Sequence, residues 1–186
     1  MSYFSPVVAQ RGIASAWDPL ILQAAQQSVV DPALIKGIIS AESAWDPNAA
    51  STSSVGLMQI NYLAHGVSRE QAMDPQWNVP YGTRVIAEQL QRRPSIDLAL
   101  AGYNAGTSRS DADLRARLTA NTNGVGTYVQ TVLDYYAWYV TNDPLTVFGG
   151  GGPYSEPFPA RPIPASFGRV ARLVDRKPGD PGAVPG

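Results

Sequence analysis

Apolar residues recur along the first 143 positions at helical spacing, and acidic or hydroxyl residues mark where each run begins. Asp18-Pro19 opens a segment with Leu20, Ile21, Ala24 and Ala25, Asp18 being the expected cap and Pro19 fitting the first helical position. Asp31-Pro32 repeats the device ahead of Leu34, Ile35, Ile38, Ile39 and Ala41. A third helix is predicted from about Val79 to Gln91 and a fourth from Ser95 to Tyr103, where Ser95 and Asp97 supply capping and acidic groups. The last, Tyr128 to Val140, is apolar on most sides and is expected to be central. No period-two strand stands out. The pattern predicts an all-α domain over 17–143, preceded by a short arm at 1–16.

Beyond residue 143 the character of the chain changes. The segment 144–186 holds 9 of the 16 prolines and 8 of the 17 glycines, including GGGG at 149–152 and the Pro-spaced PYSEPFPARPIPASF. Such a segment cannot build a core, and its prolines suit extended polyproline II structure. It reads as an extended Gly/Pro-rich tail and a docking segment for other subunits. Residues 1–143 carry 9 basic and 12 acidic residues against 5 and 3 in the tail, a split too mild to name a partner.

The composition then removes whole classes of chemistry. The 186-residue chain has no cysteine, which excludes disulfides, thiolate metal sites and a cysteine nucleophile. A single histidine, His65, excludes a multi-histidine metal site and weakens any Ser-His-Asp arrangement; it is expected in an exposed loop. A formal charge of -1 without Lys/Arg runs argues against nucleic acid. No apolar stretch approaches the roughly 20 residues of a membrane span. The N-terminus shows no charged region followed by a continuous apolar run, so no secretory signal is expected in this numbering. Hydrolytic or transfer chemistry is left to carboxylates.

Glu42 stands out among them. It follows the apolar run LIKGIISA and precedes SAWDP, where Asp46-Pro47 ends the helix. A carboxylate at the negative end of a helix, in an apolar setting, has its charged form disfavoured twice, which is what a general acid needs near neutral pH. Position alone also allows an exposed residue in an ordinary final turn. Three further stretches keep it company: GLMQIN at 56–61, AGYNAG at 101–106 and the YV that begins the last helix at Tyr128. Singly, Met58 reads more readily as core filler, Asn104 as a helix C-cap and Tyr128 as a packed aromatic.

Together they resemble a known family. Glu42-Ser43, Ser51 to Gln59, Ala101 to Gly106 and Tyr128-Val129 to Val132 stand in the order of the motifs of lytic transglycosylases, whose domain has a goose-type lysozyme-like fold. The helix before the glutamate and the DPQWNVPYG stretch at 74–82 also look like that family's, and the resemblance spans about residues 17–140. Two positions depart from it. Ser53-Ser54 stands where Gly-Ala is usual, in a segment one residue short, so the loop bearing Ser51 is expected to sit differently. Gly102 replaces an aliphatic residue, which is expected to loosen packing.

The resemblance implies cleavage of the peptidoglycan glycan strand between N-acetylmuramic acid and N-acetylglucosamine, closing a 1,6-anhydro ring, with Glu42 as the one catalytic carboxylate and no cofactor or metal. Ser51 and Gln59 would hydrogen-bond sugar substituents, the Met58 side chain and neighbouring backbone would line the groove, Tyr103 and Asn104 would form the opposite wall, and Tyr128 would orient Glu42. Trp45 and Tyr62 are candidate sugar-stacking faces, Trp45 the more structural of the two. The alternatives are a water-using lysozyme or endolysin of the same fold and a non-catalytic structural or wall-binding virion protein. Without a signal, such a protein resembles those carried by phage virions or by secretion machines; a phage tail component acting on the cell wall or in the periplasm during genome delivery is the expectation, its tail docking on neighbouring subunits.

Overall fold

The structure, a computed structural model, describes residues 16–143. The rest of the expected arm and the whole of the Gly/Pro-rich tail lie outside the described residues. Within them the chain is all-α but for one minimal hairpin: α1 (Asp18–Ser28), α2 (Pro32–Glu42), β1 (Ser54–Val55), β2 (Ile60–Asn61), α3 (Tyr62–His65), α4 (Arg69–Met73), α5 (Pro75–Arg92), α6 (Ile96–Ala105), α7 (Asp111–Ala120) and α8 (Val125–Asn142). No helix among the described residues is long and apolar enough to cross a membrane.

The middle of the domain is α2, buried at every position from Pro32 to Ser40. Asp31 caps it as expected, Oδ1 accepting from the Ala33 amide at 2.8 Å, with Pro32 in the first turn. Its main partner is α8. Gly37 makes the contact possible: a Cβ there would lie 3.0 Å from the Val132 carbonyl oxygen and 3.2 Å from the Tyr136 amide, so the two backbones touch where a side chain would separate them. Lys36 reaches Asp143 at one end of the pair, and Glu42 interacts with Tyr128 at the other, so the helices run antiparallel.

Asp18 does not play the expected part. Trp17 is the N-cap of α1 and makes no side-chain capping bond. Asp18 is the first helical residue, and its carboxylate lies 2.6 Å from Lys36 Nζ, which also meets Asp143 at 2.5 Å. Lys36 is 1% exposed. A fully buried ammonium is tolerable only when paired, and two carboxylates from opposite ends of the domain do so. Burial holds the Asp18 carboxyl above its usual range even with Lys36 opposing it.

Helix boundaries shift where local caps outrank the apolar period. Asp74 caps α5 through the Gln76 amide at 3.0 Å, so the helix starts four residues before the expected Val79 and carries Pro80 inside it. Ser95 caps α6 through the Leu98 amide at 3.3 Å, as expected. The helix α7 was not legible in the apolar pattern: Leu114 is its one buried residue, and Ser110 and Arg93 hold it instead. Arg93 donates to Asp111, Thr107 and Arg109, fixing the loop after α6. Gly102, expected to loosen packing, makes room for the buried Gln89, whose Oε1 would lie 2.6 Å from a Cβ at that position.

Replacing Lys36 by Met removes the charge that two buried carboxylates share. The variant is expected to lose about 3 kcal/mol at neutral pH in urea denaturation. The raised Asp18 carboxyl protonates as pH falls, so this deficit should shrink in acid.

Candidate active site

Glu42 is the last residue of α2, and its surroundings are set by the turn beyond it. Ala44 and Trp45 both adopt left-handed backbone, at φ 49° and 70°, a costly conformation for two consecutive non-glycine residues. Trp45 repays it. Its ring is 1% exposed, packs edge-on against Tyr139 with centroids 6.3 Å apart, and its Nε1 donates to Ser40 Oγ at 3.0 Å. Ser40 Oγ in turn bonds the Tyr139 hydroxyl at 3.0 Å. The chain therefore turns sharply immediately after Glu42, and Trp45 serves the turn; its buried ring has no face for a sugar.

Burial pushes the Glu42 carboxyl up to about 7, partly opposed by the Tyr128 hydroxyl. That hydroxyl is sealed from solvent and faces Glu42. Tyr103 and Tyr128 are both held well above the usual phenol range, by burial first and then by Glu42. Three residues from α2, α6 and α8 thus form one electrostatic cluster. Both tyrosines stay protonated at any working pH, so each is a fixed O–H dipole beside a carboxyl that titrates near neutrality.

The GLMQ segment enters as the hairpin turn between β1 and β2, in which Ser54 pairs with Asn61 and Val55 with Ile60. Tyr103 joins it to α6 by donating to the Met58 carbonyl at 2.8 Å. The Met58 side chain, expected to line the groove, is instead completely buried, with Thr83 Oγ1 3.9 Å from its sulfur and Gly82 beneath it. Its backbone faces the site. Gln59 stands at φ 47° and spends its amide nitrogen on the Ala49 and Gly56 carbonyls, both at 3.0 Å, leaving Oε1.

Ser51 is exposed, and its hydroxyl is already engaged, donating to the Ser54 carbonyl at 3.3 Å and accepting from the Ser54 amide at 3.2 Å. These bonds, with an Ala50–Val55 bridge, are how the segment carrying Ser53-Ser54 closes its loop. Asn104 lies exposed on the last turn of α6, and Gly106 is the C-cap in its stead. His65, expected in an exposed loop, is half-buried at the end of α3, with Nδ1 2.8 Å from the Tyr81 hydroxyl. Tyr62 stays half-exposed on α3.

One residue that organises the site had no role assigned from sequence. Asn78 is 0% exposed, and its amide saturates the hairpin backbone: Oδ1 accepts from the Met58 amide at 2.8 Å, while Nδ2 donates to the carbonyls of Val55 at 2.9 Å and Ala72 at 2.7 Å. Gly56, at φ 80°, lies so close that a Cβ would be 2.4 Å from Asn78 Nδ2. The available signal was an amide side chain on the buried face of α5, in the DP-x-x-N stretch.

A match to the model of the transglycosylase SLT domain covers residues 19–124, more than half of the chain, and contains Glu42, the hairpin and the α6 wall. The chain belongs to the transglycosylase SLT domain family. Tyr128 lies just beyond the matched residues. Among relatives, a protein named transglycosylase from Enterobacteria phage PRD1 is 31% identical over 100 residues, which are 53% of this chain and 38% of the phage protein. Invasion protein IagB of Salmonella typhimurium is 30% identical over 127 residues, 62% of this chain and 79% of that protein. The chain thus aligns with well under half the length of the phage relative.

Two outcomes are expected for the SLT domain. Asn78→Ala strands three backbone groups and should cost about 3 kcal/mol or more by thermal or urea unfolding. Glu42→Gln should stabilise the fold at pH 8 by up to about 3 kcal/mol, because the folded state then no longer holds a buried carboxylate. Since Glu42 binds its proton more tightly folded than unfolded, the gain is expected to vanish below pH 4.5, where both states keep the proton.

Proposed function

We propose that this domain cleaves the β-1,4 bond between N-acetylmuramic acid and N-acetylglucosamine in peptidoglycan as a lytic transglycosylase. The observation that carries the reading is Glu42 itself: a carboxyl buried at a helix end and pushed up to about 7, beside two tyrosine hydroxyls. Two-carboxylate glycosidases need a partner about 5 to 10 Å away. Asp18 is committed to Lys36 and Asp31 to the Tyr136 hydroxyl at 2.9 Å.

A lone acid with a pKa near the working pH can serve both halves of a substrate-assisted reaction. Protonated Glu42 gives its proton to the glycosidic oxygen as the C1–O bond breaks. The positive charge that develops on the muramic ring is met by its own N-acetyl group. The Glu42 carboxylate then accepts the proton of the muramic C6 hydroxyl while O6 bonds to C1, which closes the anhydro ring and restores the acid. Attack from within the same sugar needs no recruited water and gains from proximity. The Tyr128 dipole steadies the carboxylate stage. Asn104 and Gln59 Oε1 are the groups left to meet sugar substituents, and Ser51, held by Ser54, keeps one acceptor position. Tyr103 forms the wall and holds the hairpin against α6.

The likeness to a phage transglycosylase supports a virion setting, and the likeness to an invasion protein a bacterial one as the second; within the first we read the chain as a tail component that opens the wall locally during genome delivery, with segment 144–186 docking on its neighbours. Mass spectrometry of digested sacculi is expected to show 1,6-anhydro ends. Reducing ends would replace this reading with a lysozyme, and intact strands with a binding protein. Glu42→Gln should lower the rate by at least about 100-fold, and the wild-type rate should fall as pH rises through about 7, where the acid form is lost.

A further inference from the structure

A second groove lies away from Glu42. It has a volume of about 730 Å³ and is formed between the C-terminal end of α1, the Val67–Gln76 region and the outer face of α5. The turn that carries Val29 leads into the start of α2, whereas Glu42 ends that helix, so the 11 residues between them set the two regions about 15 Å apart. None of the groove's residues belongs to the Glu42 cluster.

Its walls have a definite chemistry. Trp77 and Tyr81 stack at 4.2 Å with 18° between their planes, and the Arg84 guanidinium sits 4.7 Å from the centre of the Tyr81 ring. His65 fixes the Tyr81 hydroxyl at 2.8 Å. Tyr81 is thus covered by Trp77 and Arg84, and the half-exposed Trp77, braced by Tyr81 and by the core beneath it, lines the groove. Around it stand the exposed amides of Gln27, Gln76 and Gln91. The rim carries Val29, a β-branched residue in left-handed backbone at φ 54° and still 58% exposed. Both features of Val29 are unfavourable for an isolated fold.

A braced aromatic plane ringed by side chains that both donate and accept suits a ring with one apolar face and equatorial hydroxyl and acetamido groups. The one cation and one anion of the groove, Arg84 and Glu88, leave it without net charge, which disfavours a polyanion or polycation. The volume is that of a small-ligand site and admits a few sugar units. We propose that this groove is a secondary binding site for the uncharged, N-acetylated part of a β-1,4 glycan, holding the domain on the wall while Glu42 acts elsewhere. The inference rests on the glycan-cleaving reading above.

Chitohexaose, titrated into the full chain carrying Glu42→Gln and followed by amide NMR, tests it. Two separate sets of shifts are expected, one around Glu42, Tyr103 and Tyr128 and one around Trp77 and Gln76. Adding Trp77→Ala, or the exposed pair Gln76→Ala and Gln91→Ala should Trp77 prove necessary for folding, is expected to erase the second set and spare the first. In the otherwise native chain the same changes should weaken retention on sacculi about tenfold or more with cleavage of short glycans unchanged. Shifts at Glu42 alone would overturn the groove and leave the cleavage reading standing; shifts at neither would overturn both. A groove that responds only to stem peptides would overturn the saccharide assignment.

Discussion

The contact of α2 with α8 at Gly37 is the constraint on which the remaining architecture depends. Because the Gly37 Cα meets the backbone of Val132 and Tyr136 directly, the two helices lie closer than side-chain packing would allow, and rows of residues on each are brought into register. Lys36 then falls between Asp18 and Asp143, Ser40 meets Tyr139, and Glu42 arrives beside Tyr128. A helix buried on nearly every face has no solvent route for a polar group, so each one it carries must find a partner from another element. Lys36 and Ser40 are satisfied. Glu42, at the end, is desolvated without a cation, and this makes it an acid that titrates near neutral pH.

The second support comes from the other side of the site. The hairpin is too short to be stable alone, with two residues in each strand. Its geometry is imposed by Asn78 from below, by Gln59 folding back on the Ala49 and Gly56 carbonyls, and by Tyr103 grasping the Met58 carbonyl. Polar side chains here replace the ladder hydrogen bonds that a longer sheet would supply. Strain accumulates at the same place, with Ala44, Trp45 and Gln59 all in left-handed backbone. Such conformations persist only where neighbours over-determine them, and the Trp45–Ser40–Tyr139 network does so for the turn after Glu42.

Local chemistry made much of this legible. Asp31-Pro32 and Ser95 announced helix starts because capping depends on a few adjacent atoms, and Glu42 could be placed at a helix end because Asp46-Pro47 comes soon after it. The same logic failed at Asp18, whose capping chemistry looked identical to that of Asp31. There Trp17 takes the N-cap position, and Asp18, the first helical residue, turns its carboxylate to Lys36. The short helix α7 escaped because a helix held by a cap and an arginine needs almost no apolar stripe.

The sequence by itself determined the all-α class, the starts of α1, α2 and α6, the exclusion of thiol and multi-histidine chemistry, and Glu42 as the residue to watch. Each rests on interactions between near neighbours or on residue types that are simply absent. Tertiary structure alone decided that the Met58 carbonyl holds Tyr103, that Trp45 meets Ser40 and Tyr139, that Asn78 shapes the hairpin, and that Gly102 houses Gln89. Those outcomes depend on which groups meet across 5 to 45 positions of chain or more. Burial, hydrogen-bond saturation and close packing select among partners in three dimensions, and a linear pattern does not record the choice.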